Sequence, residues 1–292
     1  MVVPIAFKIM LGRLQPLPSE VQHAVAHAAT IRSRLLRPFR VRKFLLVGSH
    51  SRRSAIRRYS DIDYFVVVAR DDIRWGGGYE RSTTVLEKFR RDLASRFWQT
   101  DVRKDAQAIT LSFGSGEYSV DVVPAIFWQM ASDNWPVYLM PDGDGWWMAT
   151  CPERHNRYIA EANLRSRGKL RATAQLIKFW RVCRTPRVSI SSFHLELMLA
   201  AERVCEGAKS YAQCLTETFR LLVSRGCRAY RDPLGVSGNI TACHTHIQQA
   251  QALEAAIYAR LHAKSALDAE ARGDNREACR QWGIVFNGSF PT

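Results

Sequence analysis

Two short apolar runs, separated by a polar and basic loop, organise the hydrophobic pattern of this sequence. The first run covers residues 44–47 and ends at Gly48-Ser49, and the second covers residues 64–69. Both runs are rich in β-branched and aromatic residues and are bounded by turn-forming residues, which predicts two strands. Residues 106–113 and 118–126 repeat this pattern around Gly114-Ser115-Gly116 and therefore predict a hairpin.

Apolar residues at spacings of three and four predict helices before and after these strands. The predicted helical stretches are residues 18–37, 85–97, 157–182 and 247–271. Gly168 is expected to interrupt the third stretch, and Gly273 is expected to end the fourth. The strands are thus confined to the first half of the chain, whereas the second half is predominantly helical.

Composition and charge narrow the class of protein. The chain has 292 residues, with 42 basic and 27 acidic side chains, so its formal charge of +15 favours anionic partners such as nucleotides or nucleic acid. Seven cysteines without a C-x-x-C pair indicate reduced thiols and a cytoplasmic location. No apolar run reaches the length of about 18 residues that a transmembrane helix needs, so no membrane contact is expected.

Asp61 and Asp63 open the second apolar run, twelve residues after Ser49. Side chains alternate along a strand, so both carboxylates point to the same face. At about 4 Å and an effective dielectric of about 20, their repulsion is about 4 kcal/mol. A cation between them removes this repulsion, and oxygen ligands without nearby His or Cys suit Mg²⁺. The alternative interpretation is a cap and a solvated turn at the start of a strand.

A third carboxylate, Asp121, lies within the apolar segment Val120–Pro124. A lone carboxylate in a buried strand is costly without a partner. If the strand of Asp61 and Asp63 lies beside this one, the three carboxylates could hold two metal ions and activate an attacking hydroxyl. This role would explain the carboxylate in the apolar strand. The alternative is a structural aspartate paired with an arginine.

Candidate phosphate-binding residues occur in both halves of the chain. Gly48 lets the backbone come close to a bound group, and Ser49 offers a hydroxyl and an N–H to phosphate oxygens. Lys178 lies in a mostly apolar helical stretch, where a lysine needs a reason. Ser191-Ser192 opens a helix, so an N-cap is the first interpretation and phosphate binding is the second.

Other polar residues have simpler interpretations. The basic run from Arg32 to Lys43 is either a surface that faces phosphate or nucleic acid, or a solvated helix end and linker. His194 and Glu196 are interpreted as structural, because a histidine within a helix is more often a core residue with satisfied hydrogen bonds than a ligand.

The chain resembles the cGAS/DncV-like nucleotidyltransferases of bacteria (CD-NTases), which have a DNA polymerase β-like catalytic core. The resemblance spans nearly the whole chain and rests on Gly48-Ser49, Ser60-Asp61-Ile62-Asp63, Val120–Ala125, Lys178-Phe179-Trp180, Ser191–Glu196, Asp232-Pro233, Trp282 and Phe290-Pro291. It implies an α+β fold in which residues 1–150 form the catalytic core, a mixed β-sheet with flanking helices that include an N-terminal helix. Residues 151–292 would form a helical lobe that packs on this core and completes the nucleotide pocket.

The resemblance assigns roles to the acidic residues. In the family three aspartates bind two Mg²⁺ ions, so Asp61, Asp63 and Asp121 are implied to be both the metal ligands and the catalytic residues, with Mn²⁺ as an alternative ion. One position departs from the family pattern. In the loop after Gly-Ser the family usually has a small residue, often glycine, where this chain has Arg53.

The resemblance also assigns the nucleotide contacts. Lys178 and Ser192 match positions that contact the donor triphosphate, and Gly48 and Ser49 complete the set that holds it. Phe193 matches an aromatic residue that stacks on a base. These five residues are the predicted nucleotide-binding site.

The function implied is a cytoplasmic enzyme that joins nucleoside triphosphates, ATP, GTP or others, into a cyclic di- or trinucleotide second messenger. The reaction would be two-metal phosphodiester formation with release of pyrophosphate, in bacterial anti-phage defence (CBASS). A regulatory partner protein fits the same resemblance. Nucleic acid binding is permitted by the charge but is not required.

Three other functions compete with this interpretation. A linear oligonucleotide or RNA-end nucleotidyltransferase would use the same metal core, although tRNA-tailing enzymes usually carry additional RNA-holding domains. A transferase that adenylylates a small molecule or a protein is disfavoured by the matching helical half. A nucleic-acid-binding module with a silent core would have lost a carboxylate, and all three are present.

Overall fold

The computed structural model describes residues 1–114 and 117–291. It divides into two compact units, which we call the sheet unit (residues 16–53 and 58–156) and the helical unit (residues 1–15, 54–57 and 157–292). The predicted division into a catalytic core (residues 1–150) and a helical lobe (residues 151–292) stays a prediction. Ser115-Gly116 of the predicted hairpin turn lies outside the described residues.

Strands are concentrated in the first half of the chain, and helices dominate the second half. In chain order the elements are α1 (Val3–Leu14), α2 (Pro18–Leu35), β1 (Val41–Leu46), α3 (Gly48–Ser51), β2 (Ile62–Val68), a 3₁₀ turn (Arg70–Ile73), β3 (Arg74–Trp75), β4 (Gly78–Tyr79), α4 (Ser82–Arg96), β5 (Asp101–Lys104), β6 (Ile109–Ser112), β7 (Val120–Met130), β8 (Pro136–Pro141), β9 (Trp147–Thr150), α5 (Pro152–Arg165), α6 (Lys169–Cys183), α7 (Ser192–Ala201), α8 (Tyr211–Ser224), β10 (Tyr230–Arg231), β11 (Asn239–Ile240), α9 (His246–Ala271) and α10 (Asn275–Val285).

The sheet unit is built on a mixed sheet. Its described strands lie in the order β1-β2-β7-β6-β5, and β8 and β9 continue from the second half of β7. β2 and β7 run parallel, whereas the other pairs in this sheet are antiparallel. This arrangement confirms the predicted mixed sheet, and the pairing of β6 with β7 confirms the predicted hairpin strands.

Two helices cover one face of the sheet. Ile31 of α2 and Phe89 of α4 are fully buried in the same core as Val66 and Val120 of the central strands. Each side chain of this size contributes about 1.5–3 kcal/mol on complete burial. The periodic apolar stripes that predicted α2 and α4 therefore face the sheet.

The N-terminal segment belongs to the helical unit. Its helix α1 places Phe7 edge-on against Trp282, at 5.1 Å between ring centroids, and against Phe290, at 4.9 Å. The sequence pattern did not predict this helix. The pattern did predict the interruption between α5 and α6 at Gly168, which has a positive φ of 84°, and the end of α9 before Gly273.

The segment of residues 54–57 is also part of the helical unit, although it lies between α3 and β2 in the sequence. Ile56 is buried in the helical core. The Gln175 side-chain amide donates to the carbonyl of Ala55 at 2.9 Å, and the N–H of Arg57 donates to the carbonyl of Leu14 at 2.9 Å. Residues 54–57 are thus held by contacts within the helical unit. Over the described residues, no helix combines the length and the apolar composition that a membrane crossing requires.

Candidate active site

The register of the parallel strands brings two predicted residues together. β2 and β7 pair so that Asp63 lies directly beside Asp121, with Ile62 beside Val120. Asp61 precedes β2 by one residue and shares the side-chain alternation of Asp63. The condition set by the sequence, that these two strands be neighbours, is therefore met.

Gly48 lies against the side chain of Asp63. A Cβ added to Gly48 would come within 1.8 Å of Asp63 Oδ2, and Gly48 has a positive φ of 65°. Only glycine combines this conformation with so close an approach. The N–H of Val47 donates to the carbonyl of Asp63 at 2.9 Å, which fixes the turn after β1 against β2.

The electrostatics of the acidic residues follow from burial and from like charge. Burial, opposed by a hydrogen bond from Thr110 and assisted by the charges of Asp61, Asp63 and Asp105, raises the pKa of Asp121 to about 7. Burial also raises the pKa of Asp61, with Asp105 adding to the effect, although Asp61 keeps an exposed surface. A cation placed here would favour the ionised carboxylates.

Two residues of this region were missed by the sequence analysis. Thr110 pairs with Asp121 across the hairpin, and its hydroxyl donates to Asp121 Oδ1 at 2.6 Å. Asp105, between β5 and β6, adds negative charge to the site. Counting outward from the predicted hairpin turn could have found Thr110, because cross-strand partners follow from the register. No local signal marked Asp105.

The fit of these residues to a divalent cation rests on their donor chemistry. All the candidate donors are carboxylate oxygens, which suit Mg²⁺ or Mn²⁺. Among the described residues, however, no group of three or more His, Cys, Asp or Glu side chains is arranged so that it could hold a metal ion. The acidic residues are gathered by strand register, and their side chains do not form a complete cage.

The turn after Gly48 is held by side chains of the sheet unit. Ser51 donates to the carbonyl of Gly48 at 2.9 Å and accepts a hydrogen bond from the amide of Asn156 at 3.1 Å. Arg53, where the family usually has a small residue, has a positive φ of 55°. It adopts the left-handed conformation that glycine favours, and this conformation causes strain at a residue with a Cβ. Ser49 is half-buried on α3.

The helical unit contains the other predicted nucleotide contacts. Lys178 on α6 is buried and forms an ion pair with Glu196 on α7. The Lys178 ammonium also donates to the carbonyl of Ser54 at 3.1 Å and to its hydroxyl at 3.0 Å. Glu196 was interpreted as structural, and its partner is Lys178. The sequence could have suggested this pair, because each residue is an isolated charge in an apolar helix.

The start of α7 matches the predicted cap. The Ser191 hydroxyl accepts a hydrogen bond from the N–H of His194 at 3.3 Å and caps the helix. The Ser192 hydroxyl accepts a hydrogen bond from the guanidinium of Arg181 on α6. Phe193 is half-buried and packs against the core of the helical unit. The roles of Lys178, Ser192 and Phe193 toward a nucleotide stay predictions.

Comparison with known families gives a match over residues 1–163. These residues match the model of the Second Messenger Oligonucleotide or Dinucleotide Synthetase (SMODS) domain. This segment covers more than half of the chain and includes all three aspartates, Gly48 and Ser49.

Similar proteins are found among characterised sequences and solved structures. A probable cyclic nucleotide synthase of Bacillus cereus is 23% identical over 274 residues, 84% of this chain and 81% of that protein. A cyclic AMP-AMP-AMP synthase of Escherichia coli is 23% identical over 283 residues, 86% and 84% respectively. The structure of E. coli CdnC with ATP matches with a TM-score of 0.75 at 19% identity, covering 100% of this chain and 99% of that one, and CdnC in complex with HORMA-deltaN matches with a TM-score of 0.74 at 20% identity, covering 99% of each chain.

Proposed function

Because the chain belongs to the SMODS family of cGAS/DncV-like nucleotidyltransferases, we propose that this enzyme joins nucleoside triphosphates into a cyclic di- or trinucleotide second messenger and releases pyrophosphate. The observation that carries the proposal is the parallel register that sets Asp63 beside Asp121, with Gly48 against Asp63. The names of the two relatives, both cyclic nucleotide synthases, support the cyclic product.

The proposed reaction is phosphodiester formation. A ribose hydroxyl of one nucleotide attacks the α-phosphorus of another, a new P–O bond forms, and the bond between the α-phosphorus and the bridging oxygen breaks. Pyrophosphate leaves with the electron pair of that bond. The hydroxyl proton goes to a base, and Asp121, whose carboxylate lies beside Asp63 in the strand register, is the proposed acceptor.

The acidic residues would hold the cation that this chemistry needs. Asp61, Asp63 and Asp121 are the proposed ligands of Mg²⁺ or Mn²⁺, which when bound would neutralise phosphate charge and lower the pKa of the attacking hydroxyl. Thr110 donates to Oδ1 of Asp121, so Oδ2 is the oxygen of this carboxylate proposed to bind the cation. Positioning and charge stabilisation supply most of the acceleration in phosphoryl-transfer enzymes.

The phosphates and the base have their own proposed contacts. Gly48 and Ser49 offer backbone N–H groups and a hydroxyl to phosphate oxygens. The family pattern places Lys178 and Ser192 at the donor triphosphate and Phe193 on a base. Because Lys178 is ion-paired with Glu196 in this chain, we propose Ser192 as the triphosphate contact of the two. Ring closure requires the linear intermediate to rebind with its own triphosphate as donor, and an aromatic side chain suits this step because every base has a face on which it can stack.

The biological setting and the partners form part of the same proposal. The products would act in anti-phage defence, and the substrates are ATP, GTP or other NTPs, as supported by the solved ATP complex of CdnC. The solved complex of CdnC with HORMA-deltaN supports a regulatory protein partner for this chain. The formal charge of +15 leaves nucleic acid as a further ligand that the synthesis does not require.

The test is chemical. The purified protein is incubated with Mg²⁺ and NTPs labelled at the α-phosphate, and the products are treated with alkaline phosphatase and weighed by mass spectrometry. A ring has no terminal phosphate, so its label survives, and its mass equals a whole number of nucleoside monophosphates less one water each.

Two aspartate variants of the sheet unit, one test and one matched control, complete the experiment. Asp63→Ala removes a proposed ligand and should abolish transfer, whereas Asp101→Ala, which removes an exposed carboxylate paired with Arg103, should leave transfer unchanged. A ladder of products with 5′-triphosphates would instead make this protein a linear synthase. Full activity in Asp63→Ala would contradict the assignment of the site.

A further inference from the structure

Helices α6 and α7 of the helical unit face each other with two cations opposite two polar residues. Lys178 and Arg181 are three residues apart on α6, and Ser192 and Glu196 are four residues apart on α7, so each pair lies on one face of its helix. Lys178 contacts Glu196, and Arg181 contacts Ser192. The two contacts differ in what they do with charge.

The Lys178 contact is neutral. The ammonium and the Glu196 carboxylate are both buried, at 2% and 1% exposure of the residues, and form an ion pair. The Ser54 carbonyl and hydroxyl accept two further hydrogen bonds from the same ammonium. A pair of this kind fixes the segment that follows the turn after β1, but it brings no net positive charge to a ligand.

The Arg181 contact has an unmatched positive charge. Its guanidinium donates to the neutral hydroxyl of Ser192, while its Nε is buried without a hydrogen-bond partner. Within the described residues, no carboxylate lies within ion-pairing distance of Arg181. Burial, together with the charge of Arg187, lowers the pKa of Arg181. Arg181 is half-buried, and a cation that is partly withdrawn from water without an anion costs free energy, which an anionic ligand would recover.

We infer that Arg181 is a phosphate-binding residue, which binds the triphosphate of the nucleotide substrate together with the hydroxyl of Ser192, while the Lys178–Glu196 pair holds the segment at Ser54. The inference rests on the proposed function and adds a residue to its site. A guanidinium presents several N–H groups in a planar fork that fits two phosphate oxygens at once. In this helix pair the positive charge available to the triphosphate is that of Arg181, because Glu196 neutralises the charge of Lys178.

The test measures binding with two substitutions of Arg181. Titrations of the full chain use a non-reacting α,β-methylene ATP, inorganic tripolyphosphate and AMP. In Arg181→Met the affinity for the first two should fall at least about tenfold, or about 1.4 kcal/mol, while AMP affinity stays unchanged. Arg181→Lys keeps the charge without the fork and should lose less. The control Arg220→Met removes an exposed arginine that is paired with Glu217 on α8 and should bind all three ligands like the wild type.

Thermal stability separates this role from a structural one. Because the charge of Arg181 is unmatched, Arg181→Met without ligand should melt at the wild-type temperature or above it. Unfolding or a clear loss of stability in that variant would overturn the inference, as would unchanged binding of tripolyphosphate. If the wild type binds tripolyphosphate through Arg181 but joins no NTPs, the proposed function fails while this inference holds.

Discussion

The two units differ in whether a buried charge has a partner of opposite sign. In the sheet unit, burial raises the pKa of Asp121 to about 7, and the like charges of Asp61, Asp63 and Asp105 add to this effect. In the helical unit, Lys178 is buried but has Glu196 as a matched partner. Matched charge fixes a structure, whereas like charges that are gathered together reduce stability until a ligand arrives. We therefore expect the Lys178–Glu196 pair to be structural and the carboxylates of the sheet unit to bind a ligand.

The largest effect on stability is expected for the matched pair. Glu196→Ala leaves the Lys178 ammonium buried without its carboxylate and should destabilise the protein by about 3–5 kcal/mol. Denaturant unfolding measures this loss. The double variant Glu196→Ala with Lys178→Met removes both charges and should recover most of it. A single variant as stable as the wild type would show that the pair is not a structural element.

The close approach of Gly48 to Asp63 should rank second. Gly48→Ala places a Cβ at 1.8 Å from Asp63 Oδ2 and adds about 1–3 kcal/mol of backbone strain at a positive φ. We expect lost nucleotidyl transfer together with a lower melting temperature. Gly76→Ala is a matched control, since Gly76 also has a positive φ but no atom near its added Cβ. Equal effects in both variants would show that strain, and not the contact with Asp63, is responsible.

Removing one of the acidic residues of the sheet unit should raise the stability of the protein, whereas the two substitutions above should lower it. The pKa of Asp121 is raised from 3.8 to about 7 in the folded protein, so its stabilising contribution is complete below pH 3.8 and is lost as the pH rises through about 7. In metal-free buffer, Asp121→Asn should therefore melt above the wild type at pH 8 and gain less at pH 4. Each kcal/mol corresponds to about 2–4 °C for a chain of this size.

Added Mg²⁺ sharpens the same experiment. It should raise the melting temperature of the wild type at pH 8 and have little effect on Asp121→Asn, because the variant lacks a proposed ligand. The stability of the wild type should fall relative to that of Asp121→Asn between pH 4 and pH 8. If it does not, the raised pKa of Asp121 is contradicted.

The smallest effect is expected at Arg53. Its left-handed conformation costs about 1–2 kcal/mol, and glycine would relieve it while losing about 0.5–1 kcal/mol through its greater freedom in the unfolded chain. Arg53→Gly should therefore be as stable as the wild type or more stable by up to about 1 kcal/mol. Nucleotidyl transfer should be unchanged. Reduced transfer would show that the arginine side chain itself takes part.

The sequence by itself determined the local elements and the acidic motif. The apolar periodicity of α2 and α4, the break at Gly168 and the two strands around Gly48-Ser49 depend on residues close together in the chain, so local pattern is sufficient to predict them. The residues of Asp-x-Asp share a face for the same reason. The predicted mixed α+β fold and the family were confirmed.

Only the tertiary structure decided the contacts between distant segments. It placed α1 and residues 54–57 in the helical unit, gave Glu196 as the partner of Lys178, and left Arg181 opposite a neutral serine. Such pairings depend on how helices and strands pack, and a one-residue change in register would alter each of them. Periodicity shows which side of an element is buried, but not which residue it meets there.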